Sequence, residues 1–396
     1  IRDSQKAGQT LTQFTKYWTD RFHDDCAKLN LLEPHVEPSA VDHIPHQIKM
    51  IEQLMESGHA YQGADGSVYY KISAFESYGK LSHLDEREIV LGTTANDSDE
   101  YEKDSAADFA LWKARKDEDG ENFWDSPWGE GRPGWHLECS AMSLEYLGTK
   151  FDLHSGGVDL CFPHHDNEIA QSEAATGEEM CNCWFHITHL MVNGGKMAKS
   201  TGDFYTLGDL EERGFSAADL RYVLIAANYR QPLNFVAKDK SGNETFKSLS
   251  GAKQALQKLA KAEQSLRENA GADEAPDYKQ LLVDPPKLGA FEAAWQALLD
   301  DLNTPEALGQ IFSALKSAEG ADDWRAFHFV MAALGLELPE EEAVDVPADI
   351  QEKAQKRWDS RAAKDWATAD AMRDELATAG WQIKDGKDGF EVLPID

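Results

Sequence analysis

The chain contains no run of about 18 consecutive apolar residues, so no membrane-spanning helix is expected. Its opening residues, starting at Ile1 rather than Met, lack the basic-then-apolar pattern of a secretory leader, and a fragment or processed chain is expected. Cysteine is scarce. Cys26, Cys139, Cys161, Cys181 and Cys183 form an odd, sparse set, which excludes a disulfide framework and suits a reducing, cytoplasmic location. Positive charge is also in short supply: 39 Lys and Arg stand against 71 Asp and Glu, a net charge of -32. Such a surface repels nucleic acid at long range, so an RNA partner would need a local cationic patch. Internal repeats are absent. What is present, 396 residues with 41% apolar side chains, suits a globular protein of two to four domains.

The pattern along the chain predicts an α/β protein. Apolar residues at three- and four-residue steps predict helices over residues 10–60, stopped at Gly58. Residues 61–92 alternate Tyr and Val around glycines and predict short strands. Residues 93–123 read as an acidic loop with an amphipathic patch at 109–113. A helix is expected over 137–147, a strand over 150–154, a helix over 165–175 and a buried strand over 184–192, implying parallel strands with crossover helices. Residues 219–336 read as helical, 337–347 as a linker, and the last 49 as one or two helices followed by a hairpin near residues 385–389.

Six of the 13 histidines lie between His136 and His189. Within that segment Cys139, His164 and Glu168 form C-x24-H-x3-E, and a helix beginning near His164 brings it onto one face with Glu168. Thiolate, imidazole and carboxylate are all zinc ligands, although spacing alone leaves ordinary buried polar residues as an alternative. Cys181 and Cys183 read as small strand residues, and His165, His186 and His189 stay unassigned. Lys196-Met-Ala-Lys-Ser200, after Asn193-Gly-Gly195, is a basic turn suited to neutralising phosphate charge.

Three blocks together carry a specific resemblance. Lys196-Met-Ala-Lys-Ser200 resembles the K-M-S-K-S loop of class I aminoacyl-tRNA synthetases. Gly131-Arg-Pro-Gly-Trp-His-Leu-Glu-Cys-Ser-Ala-Met142 and the block from Phe151 to Gln171 are similar to the zinc-binding segments of cysteinyl-tRNA synthetases, in that family's order and spacing. The resemblance implies a Rossmann-like catalytic domain with a connective insertion, then an α-helical bundle and a small C-terminal α/β module. The implied boundaries are 1–60 for the first catalytic half, 61–130 for the insertion, 131–205 for the second half, 206–337 for the tRNA-binding bundle, 338–347 for a linker and 348–396 for an anticodon-recognition module. It also implies one Zn2+ on Cys139, His164 and Glu168, and Mg2+ accompanying ATP. Lys199 is implied to stabilise departing pyrophosphate, with Lys196 in support. Trp135 would wall the cysteine pocket, His154 would stand near the metal, and Asp159 would touch the adenylate. The expected partners are L-cysteine, ATP and tRNA(Cys), acting on a monomer.

Two departures stand beside this. A strand with a fourth zinc cysteine and an H-I-G-H-type ATP helix do not occur in the sequence, so an N-terminally truncated and by itself inactive enzyme is expected. Ala198 replaces the usual loop serine, with both lysines kept. A cysteine ligase of mycothiol synthesis shares the core but lacks the C-terminal module, which residues 348–396 supply. A non-catalytic tRNA-binding descendant would have no use for the lysine loop and zinc residues. For tRNA itself, Lys353, Arg357, Arg361 and Lys364 fall at i, i+4, i+8 and i+11, a cationic stripe on one helix in which phosphates would sit; a solvated helix face is the alternative.

Overall fold

The computed structural model describes residues 2–84, 108–197, 203–239, 241–272, 274–339, 346–386 and 389–394. The chain divides into two compact units, Ile1–Leu338 and Pro339–Asp396. Among the described residues no helix is long and apolar enough to cross a membrane, and all five cysteines are free thiols.

The large unit begins with helices α1 (Arg2–Lys6), α2 (Leu11–Lys28) and α3 (Ile44–Glu56). Thr10 and Gln13 close α2 with a reciprocal capping box. Helix α3 buries Ile44, Met50, Ile51 and Leu54 on one stripe. That stripe packs on a four-stranded antiparallel sheet in the order β1 (Ala60–Gln62), β2 (Val68–Tyr70), β3 (Phe109–Ala114) and β4 (Gly131–Pro133). Strand β3 corrects the expected loop-like patch at 109–113. Phe109, Ala110, Leu111 and Trp112 are all buried, so the strand is apolar on both faces and shows no alternation.

Helix α4 (Trp135–Leu147), strand β5 (Phe151–Gly157), helix α5 (Asp166–Thr176) and strand β6 (Cys181–Ile187) follow, with β5 and β6 paired in parallel across the α5 crossover. The expected strand at 184–192 is two strands, β6 and β7 (Leu190–Val192), and β6 is not buried throughout, with Ile187 about half exposed. Strand β7 pairs with β8 (Gly195–Lys196) and, in parallel, with β9 (Leu233–Phe235). Tyr70 Oη donates to the Ala170 carbonyl at 2.9 Å and Tyr78 Oη to Asn167 Oδ1 at 2.5 Å, tying the antiparallel sheet to α5.

Helices α6 (Leu207–Glu211), α7 (Ala217–Ile225), α8 (Lys247–Ala270), α9 (Tyr278–Val283), α10 (Glu292–Leu299), α11 (Thr304–Ala314) and α12 (Gly320–Leu334) complete the unit. Leu249, Leu256, Leu259 and Leu266 form the buried stripe of α8, each contributing roughly 1.5–3 kcal/mol by leaving water.

The small unit holds α13 (Ala348–Ala362), α14 (Trp366–Thr378) and the antiparallel hairpin β10 (Trp381–Asp385) and β11 (Phe390–Pro394). Ile350, Ala354, Leu376 and Val392 form its core. Here the cationic stripe does not survive as expected. Arg357 is buried, and its guanidinium donates to both Asp385 carboxylate oxygens at 2.6 and 2.9 Å. Arg361 pairs with the same carboxylate. Lys353 lies 3.6 Å from Glu375. Lys364 is beyond the end of α13, with φ of 62°. The two arginines hold the hairpin to the helix, so the helical periodicity marks an intramolecular ion-pair face.

Candidate metal and amino-acid site

Gly134 sets where α4 starts. A Cβ there would lie 2.0 Å from the Ala110 carbonyl oxygen, so only glycine lets the chain leave β4 against β3. The helix therefore opens at Trp135, two residues before the expected start, and puts His136 and Cys139 one turn apart. Strand β5 brings His154. After Gly157 a 3-10 turn at Val158–Leu160 leads into a kinked segment, Cys161–His165, in which extended Phe162 breaks the helix and which carries His164 and His165 ahead of α5. Glu168 follows on the first turn of α5, where the helix dipole favours a negative charge. Trp184 and His186 stand opposite His154 and Gly156 in the parallel ladder.

These side chains converge. The ligand-type atoms of Cys139, His164 and Glu168 all lie within 4.8 Å of one another, as do those of His154, His165 and Glu168. His164 Nε2 is 2.9 Å from one carboxylate oxygen of Glu168, and His154 Nε2 is 3.3 Å from the other. The remaining nitrogen of His164, Nδ1, meets His136 Nδ1 at 2.7 Å. His165 Nδ1 meets His186 Nε2 at 2.8 Å. The Trp135 ring, half exposed, has its centroid 4.4 Å from that of His164.

The electrostatics fit a cation. Burial pushes the Glu168 carboxyl up, but its contacts with His154 and His164 outweigh that and hold it at about 2. Burial, then the charges of Glu168 and Glu138, push the Cys139 thiol up to about 12. Burial lowers His165 to about 4. Glu168 is wholly buried, yet neither of its oxygens receives a well-directed hydrogen bond. A buried carboxylate left in that condition is costly unless a cation meets it. A tetrahedral ion with bonds of roughly 2.0–2.3 Å sets its ligand atoms about 3.3–3.8 Å apart, so three atoms within 4.8 Å of one another need only a small closure to surround one. Sulfur, nitrogen and oxygen donors at this spacing could hold a zinc ion.

The other expected site residues are distributed differently. Asp159 is exposed on the Val158–Leu160 turn and is not among the converging ligand-type groups. The backbone of Lys196 pairs with Met191 in the β7–β8 hairpin. Lys199 lies outside the described residues. His136, His165 and His186 belong to the cluster without having been assigned from sequence. Only His136 carried a signal, its position one helical turn before Cys139.

A parallel strand pair crossed by a helix, the sequence Lys196-Met-Ala-Lys-Ser200 after it and a run of helices beyond fit a class I aminoacyl-tRNA synthetase. The family model described as the tRNA synthetases class I (C) catalytic domain matches residues 1–242. The fold is also that of Mycobacterium tuberculosis methionyl-tRNA synthetase solved with methionyl-adenylate, at a TM-score of 0.54 and 14% identity over 84% of this chain and 79% of that one. A cysteine–tRNA ligase of Opitutus terrae is 47% identical over 402 residues, spanning 100% of this chain and 82% of the relative. That of Protochlamydia amoebophila is 39% identical over 409 residues, spanning 99% and 82%. The chain belongs to the cysteine–tRNA ligase family.

Proposed function

We propose that the cluster selects L-cysteine for ATP-dependent attachment to tRNA(Cys), with one zinc ion held by Cys139, His164 and Glu168. The observation that carries this reading is the wholly buried carboxylate of Glu168, flanked by two imidazoles and within reach of the Cys139 thiol. Zinc held there supplies a soft partner that takes a thiolate strongly and an alcohol poorly, which separates cysteine from serine. His136 orients His164 through its second ring nitrogen, and His154 steadies the far oxygen of Glu168. Trp135 closes the pocket around the amino acid, and Asp159 contacts the adenylate.

Two steps follow. The cysteine carboxylate attacks the α-phosphorus of ATP, which enters with Mg2+, and pyrophosphate leaves. A ribose hydroxyl of the tRNA 3′ end then attacks the activated carbonyl and AMP leaves. Lys199, supported by Lys196, meets the charge that grows on the leaving phosphates. The bundle over residues 206–337 holds tRNA, and the protein works as a monomer in the cytoplasm. Calorimetry with zinc and each amino acid tests the site: cysteine should bind only to the zinc-loaded chain, and serine should not bind measurably. Equal binding of both amino acids, or cysteine binding that ignores zinc, would refute the assignment.

A further inference from the structure

Glu168 presents its two carboxylate oxygens to two different imidazoles. One is 2.9 Å from His164 Nε2, and the other is 3.3 Å from His154 Nε2. The first oxygen belongs with Cys139 and His164. The second belongs with His154 and His165, which form with Glu168 a separate group of ligand-type atoms, all within 4.8 Å of one another. His165 and Glu168 are fully buried, and the His154 side chain nearly so. The parallel ladder fixes this second group, with His154 opposite Trp184 and Gly156 opposite His186. The Trp184 ring packs on both histidines, its centroid 4.8 Å from that of His154 and 4.9 Å from that of His165. A Cβ at Gly156 would come within 2.9 Å of His165 Nε2, so glycine keeps that edge of the ring clear. The other nitrogen, Nδ1, meets His186 Nε2 at 2.8 Å. Metal-bound histidines are normally held this way by their second nitrogen.

Two donor sets therefore share one carboxylate. We propose that His154, His165 and Glu168 form a second divalent-cation site, back to back with the Cys139 position and joined to it by Glu168 as a bridging carboxylate. The zinc reading above supplies its neighbour, while the second site rests on the histidine geometry. Two-metal sites in enzymes hold their ions roughly 3.5–4 Å apart, a separation that one carboxylate spans. The two positions differ in chemistry. Cys139 offers sulfur to the first, whereas the second has two nitrogens and an oxygen, donors that suit Zn2+, Co2+ and Ni2+ alike. The second also gathers less negative charge, because the thiolate serves the first position and imidazoles ligate as neutral groups. It therefore binds its ion more weakly and fills after the first.

Titration of the full chain with Co2+, followed by equilibrium dialysis and absorption, tests this. The wild type should bind two equivalents, the second about tenfold or more weakly, and the thiolate charge-transfer band should saturate with the first. Cys139→Ala should lose that band and keep one equivalent with visible d–d absorption. His165→Gln and His165→Ala should keep the band and lose the second equivalent. His186→Ala should weaken the second equivalent about 10–100-fold, as loss of an outer partner does, and leave the first unchanged. That variant keeps the test decisive where a change at buried His165 unfolds the chain. His35→Ala, at an exposed histidine, should alter neither equivalent. A single equivalent in the wild type, none in Cys139→Ala, or two of unchanged affinity in the His165 and His186 variants would each overturn the proposal. A wild type without the thiolate band would count against zinc at Cys139, and an equivalent held by Cys139→Ala but lost on His165→Gln would still establish the histidine site.

Discussion

Replacing Arg357 with alanine should loosen the small unit before it alters any contact with RNA. The guanidinium is buried and bonds both oxygens of Asp385. Breaking a buried pair typically costs about 3–5 kcal/mol, and the partial exposure of Asp385 argues for the lower end, about 3 kcal/mol. A unit of about 60 residues has only on the order of 3–9 kcal/mol of stability in total. Its melting temperature should therefore fall by roughly 10 °C or more. Hydrogen exchange of peptides from α13, α14 and the β10–β11 hairpin reports this within the full chain, and those peptides should lose protection together. Asp385→Ala should do the same, since it strands both arginines. If Arg357→Ala keeps native exchange and instead weakens tRNA binding with a flatter salt dependence, the ion-pair reasoning fails and the stripe is a phosphate-binding face after all.

Gly134→Ala should destabilise the junction of β3 and α4 by about 1–3 kcal/mol or more, because the new methyl meets backbone that cannot turn aside; an unchanged melting temperature would refute this. Tyr70→Phe should cost about 1–3 kcal/mol by leaving the buried Ala170 carbonyl without its donor, as read by chemical denaturation. In an enzyme that also carries the N-terminal ATP-binding helix this sequence lacks, Lys199→Ala should slow adenylate formation on the order of 10²-fold or more with little effect on cysteine binding, and a raised KM at constant kcat would instead make it a ground-state contact.

The convergence of Cys139, His164 and Glu168 was legible only in part from spacing: one helical turn relates His164 to Glu168, whereas Cys139 reaches them from α4 and was singled out by the family resemblance. His164 and Glu168 need only one turn of helix, and the kink at Phe162 ahead of His164 still leaves it 2.9 Å from Glu168. His165 and His186 were not legible, since they meet across the β5–α5–β6 crossover and no local spacing encodes that contact. Strand β3 escaped because a strand covered on both faces loses the alternation that marks one. The stripe on α13 shows the opposite failure. Periodicity tells which side chains share a face but not what lies opposite, and Asp385 is 28 residues further along the chain from Arg357.

Cobalt substitution of the metal site tests the central claim most directly, because a thiolate bound to cobalt adds an intense near-ultraviolet charge-transfer band. The chain loaded with Co2+ should show that band from Cys139. It should grow when L-cysteine is added and stay constant with L-serine, and Cys139→Ala should leave only the cysteine-dependent part. A band that ignores L-cysteine, or survives Cys139→Ala undiminished in the absence of substrate, would contradict selection of cysteine at Cys139, His164 and Glu168.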